Sequence, residues 1–320
     1  MTSWPPEVLR AAPRIGLGLA ALGRPAYITT GRDSDLGADR SPETLRHRSH
    51  AVLDAAYGAG VRYFDVARSY GSAESFLADW LSQRNLRPGD VAVGSKWGYT
   101  YVGGWRLDAE RHEVQDLSVD SLERQLSETR ERLGANLSLY QIHSATPENA
   151  VLSDPGVLDA MRRLRDEHSV AIGVTVSGPH QAEVIDAAIE LNQFDAIQAT
   201  WNLLEPSSGD ALARAHAAGL TVLVKEALAN GRLTSGGDQP ALLEAAAQRG
   251  LAADTLALSA ALAQPWADIV LSGAVTPNTL HSNMAANPRH WDLGLARELA
   301  PRFARPPALY WDERAKRPWA

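Results

Sequence analysis

Six residues able to exchange protons or hydrogen-bond a polar substrate stand just past short apolar runs: Asp65, Lys96, His143, Thr175, Gln198 and Lys225. Tyr70 follows Asp65 by five residues. Ionisable groups beside apolar strands must desolvate unless they pair, so gathering several at one place is costly without a purpose. The residue types suit general acid–base work, or a Schiff base on Lys96 or Lys225. Singly, each has a plainer reading. Asp65 would cap a helix or tie a loop, Tyr70 would pack under the turn at Gly71, Lys96 would sit at the surface and His143 would bond at a rim. The joint pattern, at successive strand ends, separates the two readings.

The elements that position these residues are legible in the apolar periodicity. Candidate strands are Ile15–Leu19, Val61–Val66, Val91–Ser95, Leu137–Ile142, Val170–Val174, Ala196–Ala199, Thr221–Val224 and Ile269–Leu271. Runs such as Leu220-Thr221-Val222-Leu223-Val224 are almost continuously apolar, as strands buried on both faces should be. Between them lie helical stretches near 41–58, 72–84, 118–133, 155–167, 179–192, 208–218, 240–263 and 277–286, and Gly60, Gly134 and Gly219 mark helix ends before strands. Eight strands alternating with eight helical segments predict one (β/α)8 barrel over residues 1–320, in which functional groups collect at the C-terminal ends of strands. A doubly wound sheet fits less well, because Gly16-Leu17-Gly18-Leu19-Ala20-Ala21 lacks the third glycine of a dinucleotide fingerprint. Residues 25–40, with Gly31, Asp33, Ser34 and Gly37, read as a rim loop. Residues 301–320, with Pro301, Pro306, Pro307 and Pro318, read as an extended tail.

Within this frame the stretch Val61-Arg62-Tyr63-Phe64-Asp65-Val66-Ala67-Arg68-Ser69-Tyr70-Gly71-Ser72-Ala73-Glu74 resembles the signature of the aldo-keto reductase family: an Asp five residues before Tyr-Gly, then Ser-x-Glu. Val93-Gly94-Ser95-Lys96 is similar to that family's strand-three lysine and Leu139-Tyr140-Gln141-Ile142-His143 to its strand-four histidine. The likeness continues to Val270-Leu271-Ser272-Gly273-Ala274, Thr276-Pro277 and Asn283. It implies a catalytic tetrad of Asp65, Tyr70, Lys96 and His143. In that scheme Tyr70 is the acid, since a phenol with a pKa near ~10 donates readily and a nearby ammonium eases its ionisation. Lys96 supplies the ammonium, Asp65 holds it, and His143 orients the carbonyl.

The resemblance also implies a nicotinamide dinucleotide lying across the barrel mouth. Its contacts would be Leu19 and Ala20 after the first strand, Thr175 and Gln198 on the carboxamide, and Lys225, Glu226, Leu228, Gly231 and Leu233 along the seventh strand and its loop. Gly273, Thr276, Thr279 and Asn283 would meet the adenosine. The family has Ser-Asn where this chain has Thr175-Val176, with Ser177 next, and a ring-stacking tyrosine where this chain has Lys225. Many relatives carry Lys or Arg at the positions of Gly273, Val275 and Thr279, where cations meet a 2′-phosphate. Their absence leaves NADP(H) only slightly favoured, with NAD(H) as the alternative.

Nine tryptophans are many for 320 residues. Trp97, Tyr99, Tyr101 and Trp105 follow the third strand and Trp201 the sixth, and these five aromatics, Trp97, Tyr101 and Trp201 above all, are read as the wall of a pocket for a planar or apolar carbonyl compound or a sugar. The balance of 31 basic against 38 acidic residues argues against a nucleic-acid footprint, and the absence of cysteine excludes disulfides, thiolate metal sites and a cysteine nucleophile. No metal-binding spacing is visible. No apolar run approaches the ~18 residues of a membrane span and no leader is evident, so the expectation is a cytoplasmic monomer or small homo-oligomer with no membrane or nucleic-acid partner. The expected activity is NAD(P)-dependent interconversion of an aldehyde, ketone or sugar hemiacetal and its alcohol, as in an aldo-keto reductase or an NADP+-type alcohol dehydrogenase. Two alternatives are carried: a nucleotide-binding regulatory subunit resembling potassium-channel beta subunits, and a Schiff-base barrel lyase.

Overall fold

The computed structural model describes residues 4–29 and 35–319. Eight parallel strands close into a barrel: β1 (Ile15–Gly18), β2 (Tyr63–Asp65), β3 (Ala92–Trp97), β6 (Leu137–Ala145), β7 (Ala171–Val176), β8 (Ala196–Thr200), β9 (Thr221–Lys225) and β10 (Ile269–Ser272), with β10 pairing back onto β1. Each falls on one of the strands expected from the sequence. The intervening β4 (Tyr99–Tyr101) and β5 (Glu113–Gln115) form a separate antiparallel hairpin that the periodicity did not reveal. All six residues of β3 and of β7 are buried, because the barrel interior takes one face and the helix layer the other. Inside the barrel, Tyr63, Ala92, Leu139, Ala171, Ala196, Leu223, Ile269 and Leu271 pack together, and Trp4 and Leu9 cover them.

The outer layer begins with α1 (Pro42–Gly58), capped where Ser41 Oγ accepts from Thr44 N–H. It continues with α2 (Ala73–Gln83), α3 (Val119–Leu133), α4 (Pro155–His168), α5 (Gln181–Leu191) and α6 (Gly209–Ala217). The expected helix over 240–263 is instead two, α7 (Pro240–Ala247) and α8 (Ala253–Leu262). The chain turns between them at Gly250, where φ is +64°, a conformation glycine adopts without a Cβ clash. α9 (Pro277–Met284) then opens on a Thr276–Thr279 capping box.

The described part of the expected extended tail 301–320, residues 301–319, is largely helical. α10 (Leu293–Phe303) runs through Pro301, and α11 (Pro307–Ala315) starts with proline in its first turn, where no amide hydrogen is needed. The prolines punctuate helices here rather than preventing them. Tyr310 and Trp311 of α11 are buried. In the expected rim loop, Arg40 holds Pro25 O (2.8 Å) and Gly37 O (3.2 Å), and Trp105 Nε1 donates to Arg40 O at 2.7 Å. Gly31, Asp33 and Ser34 of that loop lie outside the described residues. Among the described residues no helix is long and apolar enough to cross a membrane.

Candidate active site

β2 ends on Asp65, and register places it beside Gly18 of β1 and Gly94 of β3. Two residues beyond Gly94 comes Lys96, whose side chain therefore points the same way, into the barrel. Its ammonium pairs with Asp65 Oδ1 and also donates to Val66 O at 3.0 Å. Both partners are almost fully buried, at 1% and 3% side-chain exposure, so removing either would leave the other buried without its ion-pair partner. The second Asp65 oxygen accepts from Gln198 Nε2 at 2.9 Å and from Tyr63 Oη at 3.3 Å. A Cβ on Gly94 would fall 2.1 Å from Tyr63 Oη, so the tyrosine reaches Asp65 only because residue 94 is glycine.

Tyr70 sits on a turn pressed against the loop after β1. Ser72 N–H donates to Gly23 O at 2.7 Å, and a Cβ on Gly23 would lie 2.3 Å from Tyr70 O. Its hydroxyl oxygen accepts from Lys96 Nζ at 3.5 Å, and the His143 ring meets the Tyr70 ring edge-on at 5.6 Å. Burial, then the Asp65 carboxylate, holds the phenol well above its ordinary range. The lowering influence that does act on it comes from Arg24, and burial and Asp65 outweigh it. Tyr70 thus keeps its proton, as a donor must. Burial and the cations Lys96, Lys225 and Arg24 hold His143 well below its usual range, so it is a neutral imidazole. Its Nδ1 finds no hydrogen-bond partner among the described residues.

A cavity of about 880 Å3 opens above this centre. Asp65, Tyr70 and His143 line it, with Lys96 behind them. Of the expected nucleotide contacts, Ala20, Gln198, Lys225, Glu226, Leu228, Gly231, Gly273, Thr279 and Asn283 also line it. Leu19, Thr175, Leu233 and Thr276 do not. Leu19 and Leu233 are core residues with no exposed surface, Thr175 Oγ1 accepts from Ser144 N–H at 2.8 Å, and Thr276 caps α9. The Gly231 N–H closes a turn onto Leu228 O at 3.0 Å.

Of the five expected aromatics, Tyr99 lines the cavity and the others do not. Trp97 neighbours the inward-pointing Lys96, so strand alternation turns it outward into the core, with no surface exposed. Thr200 faces Lys225, and Trp201 therefore points away, edge-on to Trp266 at 5.8 Å. The Tyr101 hydroxyl accepts from Trp105 N–H at 3.1 Å, and the ring stands outside the cavity. Besides Tyr70, the tyrosines and tryptophans that line the cavity are Tyr27, Tyr99, Trp311 and Trp319. Two of them come from the segment expected to be an extended tail.

Arg24 is a further residue the sequence reading missed. It is 2% exposed and donates to Ser69 O (3.1 Å) and Glu113 Oε1 (2.6 Å). Its guanidinium lies 5.0 Å from the centre of the Tyr70 ring and 4.7 Å from that of Trp319. Nothing local to Gly23-Arg24-Pro25 signals this, because its partners lie 45 and 89 residues away. Glu226 is also claimed by a distant residue. Arg314 of α11 grips it in a two-pronged pair (Nε to Oε2, 2.9 Å), and Asn202 Nδ2 holds the Glu226 carbonyl at 3.0 Å. Burial would raise the Glu226 carboxyl, but Arg314 and Lys225 outweigh it and hold it low.

The far end of the cavity is built differently. Ser272, Asn278, Thr279, Ser282 and Asn283 offer hydroxyl and amide groups, and Asp254 adds a carboxylate. Among the described lining residues the cations are Arg24, Lys225 and Arg314, all at the Tyr70 end. A cavity of this size, lined by hydroxyl, amide and carboxylate groups at one end and by Tyr70 and His143 at the other, has room for an elongated polar ligand.

The chain resembles several known proteins. It is 28% identical over 152 residues to pyridoxal 4-dehydrogenase of Microbacterium luteolum, a stretch that covers 42% of each chain. It is 24% identical over 242 residues to D-threo-aldose 1-dehydrogenase of a Pseudomonas species, 70% of each. The fold superposes with a TM-score of 0.65 on an aldo-keto reductase of Bacillus halodurans solved in its holo form, at 19% identity and 92% coverage of both chains. With the profile of the aldo/keto reductase family matching residues 14–291, nearly the whole barrel, the chain belongs to that family of oxidoreductases.

Proposed function

We propose that this protein interconverts a small aldehyde, ketone or sugar hemiacetal and its alcohol, with Tyr70 as general acid and base, Lys96 and Asp65 as its electrostatic support, and His143 as the group that orients the substrate oxygen. One observation carries the reading: Tyr70 is a protonated phenol whose oxygen already accepts from Lys96, so its hydrogen is directed elsewhere, into a cavity shared with a neutral imidazole. That pair can donate two hydrogen bonds to one carbonyl oxygen, polarising it and supplying the proton as charge develops. The names of the relatives, a pyridoxal and an aldose dehydrogenase, support aldehydes and sugar hemiacetals as the substrate class. Tyr99 and Trp311 would provide flat walls for either.

A nicotinamide dinucleotide supplies, when bound, the reducing equivalent for this chemistry. Gln198, Ser177 and Lys225 would hold its reactive end, and Asn278, Thr279, Ser282 and Asn283 the adenosine. The latter group includes no Lys or Arg among the described residues, while Asp254 stands beside it. A 2′-phosphate carrying about −1.5 to −2 charge would meet a carboxylate there. The cavity therefore favours NAD(H) over the NADP(H) that the family precedent suggests. The test is a panel of aldehydes and aldoses assayed in both directions with each nucleotide by absorbance at the reduced nicotinamide band. Turnover with NAD(H) at least tenfold more efficient than with NADP(H) is expected, and absence of turnover across the panel would defeat the proposal.

A further inference from the structure

Lys225, the last residue of β9, lines the cavity with Tyr70, His143, Ser177 and Gln198. Its ammonium donates to Ser177 Oγ and Thr200 Oγ1, each at 3.1 Å, and lies 5.8 Å from the Trp311 ring centre. Among the described residues no carboxylate forms an ion pair with it. Glu226 is held by Arg314, and Asp65 by Lys96, Tyr63 and Gln198. The charged groups that face it are Glu226 on its own loop, Arg314 on α11, Lys96 on β3 and Asp65 on β2. His143, on β6, is neutral. Hydroxyl groups alone hydrogen-bond the ammonium within the wall of the cavity.

A nicotinamide ring carries one more positive charge when oxidised than when reduced. We propose that Lys225 makes this cavity discriminate by charge between the two, binding the reduced nucleotide preferentially and destabilising the oxidised one. This rests on the nicotinamide reading above, since a ring that reacts with a carbonyl held by Tyr70 and His143 must enter the space those residues share with Lys225. A fixed like charge in a poorly solvated cavity raises the free energy of the cationic ring and leaves the neutral ring nearly untouched. Binding linkage then pulls the bound reaction, alcohol plus oxidised nicotinamide giving carbonyl, reduced nicotinamide and one proton, toward the carbonyl by the same factor. Burial, above all, lowers the Lys225 amine to about 8, with Arg314 and Lys96 adding to it. The discrimination should therefore fade as pH rises through that value.

Equilibrium binding tests this without turnover. Dissociation constants of NAD+ and NADH are measured on the full chain by fluorescence at pH 7 and pH 9.5, for the wild type, Lys225→Met, Lys225→Gln and Lys225→Arg. The expected result is a ratio of oxidised to reduced constants that falls at least tenfold in the Met and Gln variants at pH 7 and is retained in Lys225→Arg. It should also fall between pH 7 and pH 9.5 in the wild type and stay level in Lys225→Met. If both forms bind and the ratio in the Met and Gln variants stays within twofold of the wild type, the proposal is wrong. If the wild type binds neither form, the nucleotide reading beneath it is wrong instead.

Discussion

A single methyl group added at Gly94 should displace the support of the catalytic centre, and removing one oxygen from Tyr63 should repair most of the damage. The new Cβ would fall 2.1 Å from Tyr63 Oη, 3.0 Å from Cζ and 3.4 Å from Cε2. Tyr63 is 1% exposed and has Asp65 ahead of it, so it cannot yield without losing that hydrogen bond. Overpacking of a tight core costs about 1–3 kcal/mol, and loss of a bond to a charged acceptor at 3.3 Å about 1 kcal/mol more. Gly94→Ala is therefore expected to destabilise by about 3 kcal/mol, and Tyr63→Phe alone by about 1 kcal/mol. Independent effects would sum to ~4 kcal/mol. In the double variant the 2.1 Å contact no longer exists and the hydrogen bond is lost only once, so the expected total is about 2 kcal/mol. Urea denaturation of the four proteins, with m-values compared to check that the unfolding reaction is unchanged, measures the coupling. Costs that add within about 0.5 kcal/mol would refute the claim that Gly94 exists to admit the Tyr63 hydroxyl.

Three other outcomes follow from the geometry. Lys225 has an amine held near 8 against an ordinary 10.5, so between those values the unfolded chain binds more protons and stability rises with pH; below pH 8 the strain is fully present. Lys225→Met should consequently gain on the order of 2 kcal/mol at pH 7 by denaturation, an advantage that shrinks from pH 8 to 10.5. Arg314→Met leaves Glu226, 9% exposed, without its main partner and should cost about 3 kcal/mol, much of which Glu226→Gln in the same chain restores. Trp97→Ala should cost about 3–5 kcal/mol by thermal or chemical unfolding, as a core deletion does. Trp311→Ala, at the cavity wall, should instead act mainly by raising KM for the carbonyl substrate.

The barrel was legible because the strands are short, mostly apolar and largely buried runs that alternate with segments of helical period. The tetrad was legible because each member sits at or just past a strand end, where sequence position dictates spatial position. Side-chain direction was less so: Trp97 and Lys96 are adjacent in sequence and face opposite sides of one strand, a consequence of alternation that proximity to a motif conceals. Residues 301–320 were misread because proline at a first helical turn and proline in a loop look alike without hydrogen bonds. Arg24, Arg314 and Trp319 stayed hidden for another reason. Their roles depend on tertiary partners such as Glu113 and Glu226, and no local pattern announces a contact across 88 or 89 residues.

The central claim is that Tyr70 moves the proton in a reaction whose nucleotide is held by other residues. The direct measurement is Tyr70→Phe, compared with wild type for nucleotide dissociation constants and for carbonyl-dependent oxidation of reduced nicotinamide. The hydroxyl is lost while the ring, its contact with Arg24 and its edge against His143 remain. The account predicts nucleotide binding within about threefold of wild type and kcat/KM lower by about 100- to 10,000-fold, the range a positioned acid contributes. Turnover retained within tenfold of wild type would contradict it.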